Sequence, residues 1–295
     1  MFAVTDGNDD AHATWGLIRN GEVVKLAGRG RASSRDVSWQ IFELQAPPGT
    51  YTLRNLDKPE REMAVHVQSQ RCTRVIFGDL NPRYFSPVRI LVGPFDAPAI
   101  VDPARFETLE WALALLQGER NHVPARVIEA VHQPASIDDP MLGLVAAYLQ
   151  ARENEPNPDI IEAHVQRIET WLGVCPDTQA LRIRAALIRG REISLRGCTD
   201  PPMLREGLLA FVEASHVIPE VIAAGSLLER ACIERLVDMP LATWSPGAVP
   251  DPDWLREAAQ ELKRETVSRG KEVHPREMAR ELGVPTLAVM RSICS

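Results

Sequence analysis

The residues that could do chemistry are dispersed along this chain and not gathered into motifs. None of the seven histidines pairs with another His, a Cys or an acid at ligand spacing. His122 and His132 stand ten residues apart, where one helix would not present them on a single face. Cys72, Cys175, Cys198, Cys232 and Cys294 are odd in number, scattered and without a CxxC pair. That usage reads as reduced thiols in a cytoplasmic protein. Asp9-Asp10 and Asp138-Asp139 imitate paired carboxylates, but Asp139 precedes Pro140 and reads as a helix cap, and Asp9 and Asp10 fall in the amino-terminal tail. Gly225-Ser226 lacks the GxSxG elbow, and no cysteine has a caspase-type or papain-type context. Gly28-Arg29-Gly30-Arg31 could cradle phosphate only between a strand and a helix; Ala32-Ser33-Ser34-Arg35 supplies no helix, so a loop is expected. The expectation is no catalytic residue, no metal and no cofactor.

Two sets remain as contact candidates. Arg83, Tyr84 and Phe85 join an arginine to two aromatics, as partner-binding surfaces do. The competing reading is a loop that pins strands to helices. Arg276, Arg280 and Arg291 would touch nucleic acid if the carboxy-terminal segment bound it. There Ala279, Gly283 and Val289 fall at helix-turn-helix spacing: small residue, turn glycine, apolar anchor. Glu272, Glu277 and Glu281 surround Arg276 and Arg280, and the would-be recognition helix carries Arg291 alone. Phosphate contacts need clustered Lys or Arg, so a helical cap or partner-docking role is favoured over DNA binding.

Bulk properties bound the rest. With 295 residues and 45% of them apolar, the chain is long enough for two or three domains. Basic residues are 29 Arg against four Lys, a skew that suggests a GC-rich bacterial genome. The net charge of −7 is uneven: residues 1–98 carry 12 basic and 11 acidic side chains, 99–250 carry 13 and 21, and 251–295 carry eight of each. The acidic middle would repel nucleic acid and anionic membrane. Met1 to Asp10 lacks the charged and apolar regions of a signal peptide, and a purely apolar stretch such as Leu144 to Leu149 is too short to span a bilayer.

The elements that must position these residues follow from periodicity. Met63, Val65 and Val67 alternate with Glu62, Ala64, His66 and Gln68; Tyr51 and Leu53 alternate with Thr50, Thr52 and Arg54. Period two puts one set on a core face and the other in water. Thr14–Ile18, Glu22–Leu26, Ser38–Leu44, Cys72–Phe77 and Pro87–Val92 are further strands, with turns at Asn20-Gly21, Pro47-Pro48-Gly49 and Asp57-Lys58-Pro59. No helical pattern separates them, which favours a sandwich. From residue 101 the period becomes helical, with Phe106, Leu109, Leu113 and Leu116 on one stripe. Asp-Pro or Asn-Pro starts recur at 102, 139, 157, 200 and 251, where Asp or Asn caps and Pro occupies the first turn. The helix of Met141–Arg152 is apolar nearly all round and is expected at the centre. Ser245 to Pro250 reads as a linker to three short helices, Trp254–Arg269, Pro275–Leu282 and Pro285–Ile293.

Pro48-Gly49-Thr50-Tyr51-Thr52-Leu53-Arg54, with the strands at Met63–Val67 and Thr73–Phe77, resembles the PEGA and carboxypeptidase-regulatory-like β-sandwich modules. The resemblance spans roughly residues 38–80 and implies an accessory or interaction role. Residues 139–244 are similar to uncharacterised helical segments of bacterial proteins that also carry caspase-like or trypsin-like peptidases. The matching residues are Asp139-Pro140-Met141-Leu142-Gly143-Leu144, Pro201-Pro202-Met203-Leu204-Arg205 and the run from Ile218-Pro219 to Trp244. This implies company with peptidase effectors, not peptidase activity.

The expected architecture is α+β and multi-domain. It comprises an N-terminal antiparallel β-sandwich (1–98), a central α-helical array (99–245) and a small C-terminal trihelical, helix-turn-helix-like module (251–295). The expected function is a non-catalytic interaction or regulatory protein, an adaptor or regulator of a peptidase-type effector, without membrane attachment. A DNA-binding regulator and an enzyme of unrecognised class are the alternatives, and the oligomeric state is left open.

Overall fold

The computed structural model describes residues 2–3, 15–19, 21–25, 27–34, 37–43, 46–56, 60–69, 71–77, 88–94, 103–118, 124–236, 239–246 and 252–294. The fold is α+β. Strands β1 (Phe2–Ala3), β2 (Trp15–Arg19), β3 (Glu22–Lys25), β4 (Ala27–Ser34), β5 (Val37–Glu43), β6 (Gly49–Asn55), β7 (Glu62–Val67), β8 (Arg71–Phe77) and β9 (Val88–Pro94) precede the helices. A last strand, β10 (Thr243–Trp244), comes after most of them. Among the described residues these strands form two five-stranded sheets, ordered β4-β5-β1-β8-β9 and β10-β7-β6-β2-β3. The second is antiparallel throughout, whereas the first contains one parallel pair, β1 with β8. The Gly28–Arg31 run, expected as a loop, lies in β4 and pairs with β5 across a register shift between Ala27 and Gly30.

In the antiparallel sheet Tyr51 faces Val65 and Leu53 faces Met63 across β6 and β7, with Leu17 of β2 beside Leu53. All five are buried, as their alternation requires. The opposite face departs from expectation. Thr52, Glu62, Ala64 and His66, expected in water, are buried as well, because the helical segment lies over them. Strand β10 extends the sheet at its edge: it pairs with β7 in the register Thr243 to Met63 and Trp244 to Glu62. Its residues were expected within the helical run.

Helices α1 (Pro103–Leu116), α2 (Ala125–His132), α3 (Pro140–Ala151), α4 (Pro158–Leu172), α5 (Pro176–Ile188), α6 (Arg205–Ser215) and α7 (Leu227–Ile233) follow. Asp139 caps α3 by accepting from the Leu142 amide at 2.8 Å, and Asn157 caps α4 through the Asp159 and Ile160 amides. Asp200-Pro201 starts no helix; a second proline follows, and α6 begins only at Arg205. Apolar α3 is the central helix, buried along nearly its whole length and packed against α1, α2, α4, α5 and β9. Gly207 lets α6 approach it. A Cβ there would stand 2.6 Å from the buried Tyr148 hydroxyl and 2.7 Å from the Pro202 ring. Gly207→Ala is therefore expected to cost about 1–3 kcal/mol through overpacking, read as a lower urea midpoint at unchanged slope.

After β10 come α8 (Asp253–Ser268), α9 (Pro275–Leu282) and α10 (Thr286–Cys294). Gly283 ends α9 in the left-handed conformation, φ 64°, which turns the chain into α10. Leu255, Ala259, Met278, Ala279, Val284, Ala288 and Val289 share a small core with Ile233 of α7.

Candidate functional site: a cleft between sheet and helices

The polar face of the antiparallel sheet holds two buried polar side chains, Glu62 and His66, and each is answered from the helical segment. Glu62, fully buried, accepts from Arg230 Nη2 at 2.6 Å and from the Trp244 indole N–H at 2.7 Å; Arg54, its cross-strand neighbour, pairs with the other oxygen. A buried carboxylate requires such partners, since an unpaired one costs several kcal/mol. Two guanidiniums thus share one carboxylate. Burial lowers the pKa of Arg54 and of Arg230, and Arg230 adds to the effect on Arg54.

His66, two turns of the pleat further along β7, forms the second junction. Thr50 Oγ1 lies 3.0 Å from His66 Nδ1, and Asp177 Oδ2 of α5 lies 3.4 Å from His66 Nε2. The latter is an ion-pair distance, too long for a good hydrogen bond. Asp177 is fully buried and accepts from the backbone amides of Met203 (2.7 Å) and Leu204 (3.1 Å). The order hydroxyl, imidazole, carboxylate is that of a general-base relay. The same contacts join β6 and β7 to α5 and to the strip leading into α6. Nearby thiols are held protonated: burial pushes Cys175 and Cys232 up to about 12 and raises Cys198.

Between these junctions the sheet and the helical segment leave a cleft. One compartment of about 590 Å³ is bounded by Thr50, Thr52, Arg54, Glu62 and Arg230, with Arg19 at its rim. A second, of about 480 Å³, is reached past the shared Arg19, Thr50, Thr199 and Asp200, and adds His66, Cys175 and Arg196. Both volumes suit a small-molecule site. Sequence reasoning missed this cleft, because its walls come from segments far apart in the chain.

The contact candidates read from sequence that the structure describes, Arg276, Arg280 and Arg291, do not line this cleft. Arg83, Tyr84 and Phe85 are outside the described residues, as are Asp9, Asp10 and His122. Arg276 and Arg280 are exposed on α9. Arg291 is not available in the same way: its two terminal nitrogens donate to both oxygens of buried Glu229 on α7, at 3.0 and 2.9 Å. Thr286, Ala288, Val289 and Ser292 of α10 are buried too, and His216 Nε2 lies 3.0 Å from the Val284 carbonyl. Helix α10 is docked onto the α6–α7 region. Among the described residues no group of three or more His, Cys, Asp or Glu is placed to hold a metal ion, and no helix is long and apolar enough to cross a membrane.

Two histidines in these packing junctions give a pH dependence. Burial lowers the pKa of His164, which lies 3.0 Å from the Val131 carbonyl, and of His216, from an ordinary 6.5. Their neutral forms are those the fold favours, so their contribution is complete above the unfolded value and is lost as pH falls through the folded ones. Melting temperature is expected to drop between about pH 7 and pH 5, and His164→Gln with His216→Gln should flatten that slope. A drop of equal steepness in the double variant would place its origin in other groups.

Compared with protein-family models, with curated proteins and with solved structures, the chain matches none of them.

Proposed function

We propose that this chain is a non-catalytic interaction and regulatory protein, an adaptor or regulator of a bacterial peptidase-type effector, whose helical array docks a basic protein partner. The observation that carries this reading is how the array uses its arginines. Arg182 pairs with Glu169, Arg184 with Glu213, and Arg189 with Asp159 and Glu162, each across neighbouring helices. Arg105 likewise meets Asp138. Four arginines of residues 99–250 are thus drawn into lateral pairs, in a segment that carries 21 acids against 13 bases. Glu107, Glu129, Glu153, Glu155 and Glu220 are all exposed. Such a field speeds encounter with a partner of opposite sign. In this reading the two sheets stack as the β-sandwich that the Pro48–Arg54 resemblance implies, and the protein works in the cytoplasm.

The test is co-purification from the native host, with the full chain and with a variant carrying Gln at those five glutamates. A peptidase-type partner that elutes as salt rises and is lost from the variant is the expected result. A partner held equally by both would place docking elsewhere.

Two other readings each have an observation behind them. The turn at Gly283 favours a DNA-binding regulator, but with Arg291 engaged by Glu229 that reading rests on Arg276 and Arg280. Tight duplex binding that steepens as salt falls would promote it. The Thr50–His66–Asp177 order favours an enzyme. Hydrolysis of activated esters that is lost in both Thr50→Val and His66→Gln would promote that one.

A further inference from the structure

The cleft on the polar sheet face is cationic in an acidic protein. Arg19, Arg54, Arg196 and Arg230 line its two compartments, against Glu62 and Asp200. Four positive and two negative side chains leave an excess of two, in a chain whose net charge is −7.

The manner in which these arginines are held matters more than their number. Glu62 is shared by Arg54 and Arg230, so two guanidiniums lean on one carboxylate there, with Glu234 acting on Arg230 from further off. Arg19 donates to the Pro48 carbonyl at 2.9 Å and lies over the Tyr51 ring, 5.4 Å from its centroid. Arg196 donates to the carbonyls of Ile193 and Leu195, with exposed Glu192 at 4.0 Å as its nearest acid. Carbonyls and a ring orient a guanidinium without cancelling its charge. Each fork keeps N–H groups for a ligand, and a planar fork matches phosphate or carboxylate.

We propose that this cleft binds a small polyanion, a ligand carrying two or more phosphate or carboxylate groups. One anionic group sits against Arg54 and Arg230 and a second against Arg19 and Arg196, with the Thr50 hydroxyl between them. Among the described residues no Phe, Tyr or Trp lines either compartment, so the contacts on offer are mainly guanidiniums and hydroxyls. The site is independent of the acidic helical face and gives the protein a chemical input besides its partner.

Titration calorimetry on the full chain at low ionic strength tests this with two probes, pyrophosphate and citrate. At least one should bind with a stoichiometry of one, and the preferred probe tells phosphate from carboxylate as the natural group. Added sodium chloride should weaken binding. Arg19 and Arg196 are exposed and lie outside the buried pairs, so Arg19→Ala with Arg196→Ala should leave melting unchanged. That double variant should weaken binding by about tenfold or more. Arg269→Ala, an exposed arginine remote from the cleft on α8, should have no effect. If neither probe binds at millimolar concentration, or if the double variant binds as tightly as wild type, the proposal is wrong. Should that variant melt early, Arg19→Lys with Arg196→Lys decides instead. Lysine keeps the charge but loses the fork, so weakened binding supports the proposal and unchanged binding overturns it.

Discussion

Glu62→Ala is expected to destabilise the protein by about 3–5 kcal/mol, because it strips a buried carboxylate from between two partly buried guanidiniums. In the native structure Glu62 is fully buried, with Arg54 and Arg230 on its two oxygens and the Trp244 indole N–H on one of them. Without it, Arg54 and Arg230 repel each other and the Trp244 donor is orphaned. Melting should fall by about 10 °C for a chain of this size. Removing a cation as well should recover much of that loss, so Glu62→Gln with Arg230→Met is expected to be milder than Glu62→Ala. Urea unfolding of the two variants beside wild type measures the difference. If Glu62→Ala unfolded at the wild-type midpoint, the junction between sheet and helices would have to be solvated, not sealed.

Asp177→Ala should have the next largest effect, about 3 kcal/mol. Its carboxylate satisfies the amides of Met203 and Leu204, both fully buried, and faces His66. Each donor left unsatisfied in the interior costs about 1–3 kcal/mol. Asp177→Asn retains one carbonyl oxygen and should lose roughly half as much. Hydrogen exchange distinguishes a local from a global cause: the Met203 and Leu204 amides should lose protection before the centre of α3 does. Undiminished protection at both amides would show that other acceptors hold them.

Much of the framework was legible because it obeys local rules. Period-two alternation placed Tyr51, Leu53, Met63 and Val65 on one buried face, and the continuous apolarity of 141–152 placed that helix at the centre. Asp139 and Asn157 cap as an Asp-Pro or Asn-Pro start suggests. The failures share a cause. Asp200 has the same dipeptide signature as Asp139, yet the second proline at 202 delays the helix, so Asp200 ends up on the cleft wall. The Gly28–Arg31 run has no apolar alternation to announce a strand. Glu62 and His66 resemble the wet face of a half-exposed sheet, since a polar set opposite an apolar set is what such a sheet looks like. What covers them comes from Asp177, Arg230 and Trp244, each more than 100 positions downstream. No window of sequence holds both halves of those pairs, and the cleft between them was illegible for the same reason.

Strand β10 also sets an order in time. Residues 240–244 run as a strip between the start of α6 and the edge of β7: the Ala242 amide reaches the Met203 carbonyl at 2.7 Å, the Arg205 amide reaches that of Pro240 at 2.9 Å, and Trp244 pairs beside Glu62. On the ribosome β7 is made nearly two hundred residues before the strand that covers its outer edge. Until then its amides and carbonyls form an open edge that another chain could join. Glu62 likewise waits for Arg230 and Trp244, the latter 182 positions later. Contacts this distant in sequence close slowly. The newborn sheet therefore spends the synthesis of the whole helical array unfinished, which makes this stretch of the protein's life the one in which a chaperone has most to protect.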